Sequence, residues 1–251
     1  MTLVDNATVR RAVERFAAQP DQRGVLDVLR SCMYGELLFD ITGSDEPQDG
    51  SFTAGASLQF RGGAGPDGGR ALYVFTGQDE VARLYPPGTR TQTMATPASG
   101  ALSFAQSRKD AWLYIDPAGP TCSLSAADID FALGNPNNEP LKAALAALDA
   151  GDADREDVLS VLLTEGPLLL GADGNSVPGK KLIRSMTLGD GSTALVGFTS
   201  APEVAAHNAF DGVGAFTTLR VLDMIRKNGH GGIVINPAGP SITFSAAEIG
   251  G

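Results

Sequence analysis

Behind Asn6, the apolar residues Val9, Val13 and Phe16 recur at helical spacing; Leu141, Leu145 and Leu148 do the same behind Asn138. An asparagine at that place accepts a hydrogen bond from the first-turn amides, so each run predicts a capped amphipathic helix. A second stripe follows in each half, with Val25, Leu26, Leu29 and Met33 matching Val158, Leu159 and Leu162. The period then shortens. Residues 37–41, 57–61 and 71–75 read as strands, and so do 168–170, 182–187 and 193–198. A third helix carries Leu102 and Ala105, or Leu219, Leu222 and Ile225. In the second half it stops on Arg226 and Lys227, which suit the negative end of the dipole, and on Asn228-Gly229 as a left-handed cap. Trp112 to Ile115 and Ile233 to Ile235 read as buried strands. Ser125 with Asp128, and Ser245 with Glu248, have the spacing of capping boxes that open short helices. Ser200 with Glu203 has it too, just after Thr199, where strand gives way to helix as it does at Thr76.

The two halves share wording as well as pattern. Ile115-Asp116-Pro117-Ala118-Gly119-Pro120 returns as Ile235-Asn236-Pro237-Ala238-Gly239-Pro240, and Ser125-Ala126-Ala127-Asp128-Ile129 returns as Ser245-Ala246-Ala247-Glu248-Ile249, both offset by 120 (235 − 115 and 245 − 125). Phe75-Thr76 matches Phe198-Thr199 at 123 (198 − 75), Leu37-Leu38 matches Leu168-Leu169 at 131 (168 − 37), and Asn6 matches Asn138 at 132 (138 − 6). A kept register marks a duplicated structural unit. The falling offset places the extra residues of the first copy in surface loops, chiefly around the glycine-rich stretches 43–55 and 62–69. A short turn-rich seam, Gly134 to Pro140, joins the copies. The fold class expected is therefore α/β (α+β): two tandem, similar domains, 1–134 and 135–251, each a small mixed β-sheet with flanking helices. With so short a seam, the two are expected to pack by pseudo-twofold symmetry.

Composition narrows the functions. A hydrophobic share of 43% against 19% charged residues is that of a globular chain. The formal charge of −10 argues against nucleic acid or anionic lipid as partner, since both require clustered Lys and Arg. Apolar runs fall short of a membrane span, and the opening residues lack a signal-peptide core, so a cytoplasmic location is expected. Cys32 and Cys122, without C-x-x-C spacing, read as small buried hydrophobes of a reducing compartment.

Reactive chemistry is sparse. Gly63-x-Gly65-x-x-Gly68 matches a dinucleotide fingerprint in letters, but it contains Pro66 and precedes a strand. Gly174-x-x-x-x-Gly179-Lys180 lacks the Ser or Thr of a P-loop and is broken by Pro178. His207 and His230 fall on Leu84 and Asp110 of the first copy, so neither belongs to the duplicated design. The acidic run at Asp149, Asp152, Asp154, Glu156 and Asp157 reads as helix-start charge rather than a calcium loop. No zinc-ligand spacing occurs, and no metal or cofactor is expected. The candidate binding residues are the repeated ones: Thr76, Asp116 and Pro117 in the first copy, Thr199, Asn236 and Pro237 in the second. A structural role is the stronger reading for them, because Asp and Asn side chains serve nearby backbone amides in turns.

Leu72-Tyr73-Val74-Phe75-Thr76 followed by Asp79 and Glu80, together with the strand-to-turn Ile-Asp/Asn-Pro and the Asn-led opening helix, resembles the SseB family of bacterial proteins, named for enhanced serine sensitivity. The resemblance covers most of both copies. It implies no catalytic residues, and so a non-catalytic adaptor or regulator that binds a protein or peptide. The other expectation is small-molecule (amino-acid) sensing in a pocket between the copies near Thr76 and Thr199. A link of the family to type III secretion finds no support in long coiled-coil or membrane-active segments. Oligomeric state is left open by the sequence.

Overall fold

The structure is a computed structural model that describes residues 4–46, 52–173 and 182–250. The P-loop-like segment and Lys180-Lys181 lie outside the described residues, as does part of the glycine-rich stretch 43–55. Two compact units divide the chain, Met1–Asp130 and Phe131–Gly251. The tandem α/β architecture expected from the repeat is present in both.

The first unit runs α1 (Ala7–Ala18), α2 (Gln22–Ser31), β1 (Glu36–Asp40), β2 (Gly62–Ala64), β3 (Arg70–Phe75), α3 (Gln78–Ala82), β4 (Thr93–Pro97), α4 (Ala98–Arg108), β5 (Trp112–Ile115) and β6 (Cys122–Ser125), and α5 (Ala126–Leu133) crosses the boundary. The second follows the same plan with α6 (Glu139–Ala150), α7 (Arg155–Leu162), β7 (Pro167–Ala172), β8 (Ser185–Thr187), β9 (Thr193–Phe198), α8 (Ala201–His207), β10 (Gly212–Thr217), α9 (Thr218–Asn228), β11 (Gly232–Ile235) and β12 (Ile242–Ser245). The sheet orders are β4-β1-β3-β5-β6 and β10-β7-β9-β11-β12, with β2 and β8 paired to the early parts of β3 and β9. In each sheet one pair is parallel, β3 with β5 and β9 with β11, and the remaining pairs are antiparallel.

Strand alternation sends each sheet's apolar residues to two faces. In the second unit, Leu168, Leu170, Leu195, Ile233 and Phe244 pack with Leu141, Leu145, Val158, Leu162, Leu222 and Ile225 of α6, α7 and α9. Leu169, Val196 and Phe198 meet Ala201 and Val204 of α8 on the other face. The first unit repeats the smaller cluster with Leu38, Phe75 and Val81.

The predicted caps form. Asn6 Oδ1 accepts from the Val9 amide at 3.1 Å and Asn138 Oδ1 from Leu141 at 3.0 Å. Each side chain also donates onward, Asn6 to the Tyr34 and Glu36 carbonyls and Asn138 to Pro167, so the cap ties its helix to the first strand. Asn138→Ala is expected to cost about 1–2 kcal/mol in urea unfolding, the range for a lost cap. Ser125 with Asp128 and Ser245 with Glu248 exchange their reciprocal bonds. Asp154 caps α7 in a box with Asp157, and Gly229 takes the left-handed C-cap at φ 68°.

Several expectations are corrected. Residues 57–61 are not a strand, because side chains intercept the ladder: Asp45 Oδ2 takes the Ser57 amide and Ser44 Oγ takes the Gln59 amide. The segment after Ser245 is a turn, not a helix. Leu219 is 44% exposed, and Thr218, Val221, Leu222 and Ile225 form the buried face of α9. Ser200 makes no cap; its hydroxyl is buried without a hydrogen bond among the described residues. Glu203 lies against Gly239 instead of reaching back: a Cβ on that glycine would stand 2.8 Å from Glu203 Oε1.

Candidate functional site

In each unit the repeated threonine and the repeated Asx residue meet where the parallel strands end. Asp116 and Asn236 sit at φ 53° and 46°, left-handed conformations that Asp and Asn tolerate better than most residues. That bend returns each side chain toward the neighbouring strand. Asp116 takes the Thr76 amide at 2.9 Å on Oδ1 and the Thr76 hydroxyl at 2.7 Å on Oδ2. Asn236 takes the Thr199 amide at 3.0 Å and donates Nδ2–H to the Thr199 hydroxyl at 2.8 Å. The Thr76 and Thr199 carbonyls accept the amides of Asn6 and Asn138 at 2.8 and 3.0 Å, which closes the circuit from strand to turn to opening helix. All four latch residues are buried.

Pro117 and Pro237 are half-buried and shape the turn behind the latch, which is closed by Gly119 and Gly239 amides on the Asp116 and Asn236 carbonyls at 3.1 and 3.0 Å. The sequence-predicted binding residues therefore come together within each unit, and there they bond to one another. Burial lifts the Asp116 carboxyl to about 6; its bonds to Thr76 pull the other way, and the charge of Glu80 adds to the rise.

Glu80 and Glu203 complete the arrangement. Their separation, 123 (203 − 80), equals that of the threonines, and this was the signal in the sequence. Glu80 is 8% exposed, and its Oε2 accepts no hydrogen bond among the described residues, although Arg83 Nη1 stands 3.4 Å away. A crevice of about 480 Å³ opens beside it, lined among others by Asp5, Arg10, Glu14, Asp79 and Arg83. Arg10 is already engaged, pairing with Asp5 and donating Nε–H to the Thr76 hydroxyl at 3.2 Å.

The second feature is an open sheet edge. The Gly171 carbonyl accepts from Arg184 at 2.9 Å, so its backbone faces away from β10. Val213, opposite Gly171, therefore turns its own N–H and C=O outward, and by alternation so do Ala215 and Thr217. Among the described residues no strand pairs with that side. From Gly212 to Leu219 the chain carries no charge and no proline, and Phe210 just before it is 89% exposed. Natural edges are commonly guarded by lysine, proline or a bulge. The corresponding β4 ends in Pro97, which has no N–H to offer.

The remaining chemistry-bearing residues are dispersed. Gly63 lies in β2 and Gly65 to Gly69 form its turn into β3, against the Trp112 ring, so the fingerprint-like letters are a hairpin. The His207 ring lies 5.5 Å from that of Phe198. Cys32 and Cys122 are free and buried; burial raises the Cys122 thiol to about 12 and that of Cys32 further. Among the described residues no group of three or more His, Cys, Asp or Glu gathers as a metal site, and no helix is long and apolar enough to cross a membrane.

A family model described as SseB protein N-terminal domain matches residues 9–130 and again 141–250. No curated protein and no solved structure matches the chain.

Proposed function

The chain belongs to the SseB family in two tandem copies, and from that premise we propose a non-catalytic adaptor that takes an extended segment of a protein or peptide onto the free edge of β10. The observation that carries this reading is the outward backbone of Val213, Ala215 and Thr217, unpaired by any strand among the described residues and free of guarding charge. A strand added there gains main-chain hydrogen bonds, while its alternate side chains supply the specificity. One row of them would lie beside Val213 and Ala215, the other beside Gly212 and the Phe216 ring, which leans over Gly214. Phe210 extends the contact beyond the strand. The buried free thiols fit work in the cytoplasm, and the repeated latch, spent on its own backbone, fits a scaffold rather than a catalyst.

Purification under native conditions should recover a stoichiometric partner. Ala215→Pro removes one outward N–H and leaves the bonds to β7 in place, as proline at an edge can. It is expected to weaken partner retention by about tenfold or more, the effect of losing roughly 1.4 kcal/mol, with an unchanged melting temperature. Equal retention by the wild type and the variant would remove the edge from the account.

A further inference from the structure

The free edge of β10 is bounded evenly at its two ends. Two residues before the strand stands Phe210, 89% exposed, and two residues after it Leu219, 44% exposed. Between them Gly212 to Thr218 carry no charge. The nearest acid, Asp211, is held by Arg184 through three hydrogen bonds of 2.7–2.9 Å, so its charge is matched within its own copy. Past Leu219 the next charge is the exposed cation Arg220. In a chain of net charge −10, this is a surface on which a second copy meets no unmatched acid.

The strand is also complementary to its own reverse. When two β10 strands pair antiparallel about a twofold axis at Ala215, Ala215 faces Ala215 and Val213 faces Thr217, so outward backbone meets outward backbone. On the other face Gly214 lies opposite Phe216, and large side chains never oppose each other. The Phe216 ring leans over Gly214 of its own strand, 3.0 Å from where a Cβ would stand. It thus shields the glycine backbone that an edge strand leaves bare. The same register carries each exposed Phe210 to the start of the other copy's α9, where Leu219 gives its ring an apolar neighbour and Arg220 a cationic one. The first unit lacks this property, since Pro97 stands where Thr217 does (217 − 97 is the offset of 120) and has no N–H.

We infer that two copies of this chain pair β10 to β10, antiparallel about Ala215, and that the pairing regulates the edge by covering it. The inference rests on the same open edge as the adaptor reading and adds a competitor: self-pairing and capture of a partner segment exclude each other. The contact is one short strand pair with two flanking side chains from each copy, below the roughly 1,200 Å² at which stable interfaces begin. The dimer is therefore weak. It forms at high protein concentration and yields to a partner, and at micromolar concentration the edge is free.

Sedimentation velocity of the full chain at rising concentration, with Ala215→Lys and Ala215→Glu alone and in equimolar mixture, tests the register. The wild type should pass from monomer to dimer. A twofold at Ala215 sets each introduced charge against its own copy, so either variant alone should dimerise about fivefold more weakly or worse. In the mixture lysine faces glutamate, and that loss should be recovered. Ala215 is exposed, so both variants should keep the wild-type melting temperature. A wild type that stays monomeric at millimolar concentration, single variants that associate like the wild type, or a mixture no tighter than its components would overturn the pairing. A monomeric wild type that still retains its partner would strike self-pairing alone. A wild-type dimer together with undiminished partner retention by Ala215→Pro would strike the peptide reading alone.

Discussion

Asn236→Ala should destabilise the second unit by about 3 kcal/mol. The substitution strips the Thr199 amide of its acceptor and the Thr199 hydroxyl of its donor, both buried. An unsatisfied buried amide costs about 1–3 kcal/mol, and alanine at φ 46° adds left-handed strain of up to about 1–2 kcal/mol. Asn236→Gly separates the two contributions, because it relieves the backbone and leaves the Thr199 amide unpaired. Urea unfolding should therefore rank wild type above Asn236→Gly, and Asn236→Gly above Asn236→Ala. Equal stability of all three would mean that the latch does not hold the turn.

The first unit invites the opposite experiment, since Asp116→Asn installs the residue that the second copy uses at the same place. Burial raises the Asp116 carboxyl from 3.8 to about 6. A carboxyl whose folded-state pKa exceeds its unfolded value holds its proton more tightly when folded, so the stabilisation is complete below about pH 4. It is lost as pH rises towards 6 and is absent above, a fall of about 3 kcal/mol at 1.36 kcal/mol per unit. Asp116→Asn should remove this fall. Asparagine can still accept the Thr76 amide and can donate to the Thr76 hydroxyl, as Asn236 does to Thr199. At pH 7.5 the variant should be about 2 kcal/mol more stable than wild type. Thermal melts from pH 4 to 8 provide the check; a variant less stable at pH 7.5, with the fall intact, would refute the assignment.

What the sequence disclosed followed from local chemistry. Asn6 and Asn138 announced their caps because an asparagine before a helical stripe has one economical use, and the Ser-Asp and Ser-Glu boxes likewise involve neighbours. The latch was legible as a pair of repeated residues, Thr76 with Asp116 and Thr199 with Asn236, whose mutual bonding needed the parallel pairing of strands about 40 residues apart to become visible. The edge strands β4 and β10 escaped because each runs straight into a helix, Pro97 into Ala98 and Thr217 into Thr218, with no turn residues between. Strand-like letters at Leu58 and Phe60 misled for the converse reason: the Phe60 ring packs 5.3 Å from Phe39 and 4.7 Å from Phe104, but the Ser57 and Gln59 amides go to the Asp45 and Ser44 side chains. Glu203 misled in a third way, since its capping-box spacing to Ser200 concealed a contact with the turn 36 residues later (239 − 203).

The duplication therefore preserves what builds the fold, while the copies differ at the surface to which binding is assigned, the β10 edge that the second unit leaves unguarded where β4 ends in Pro97. Amide hydrogen exchange on the natively purified complex and on the partner-free protein compares that edge with the latch directly. The account predicts that the partner slows exchange at Val213, Ala215 and Thr217 and leaves the buried Thr76 and Thr199 amides as they were. Protection that appears at Thr76 and Thr199 instead, with β10 unchanged, would contradict it.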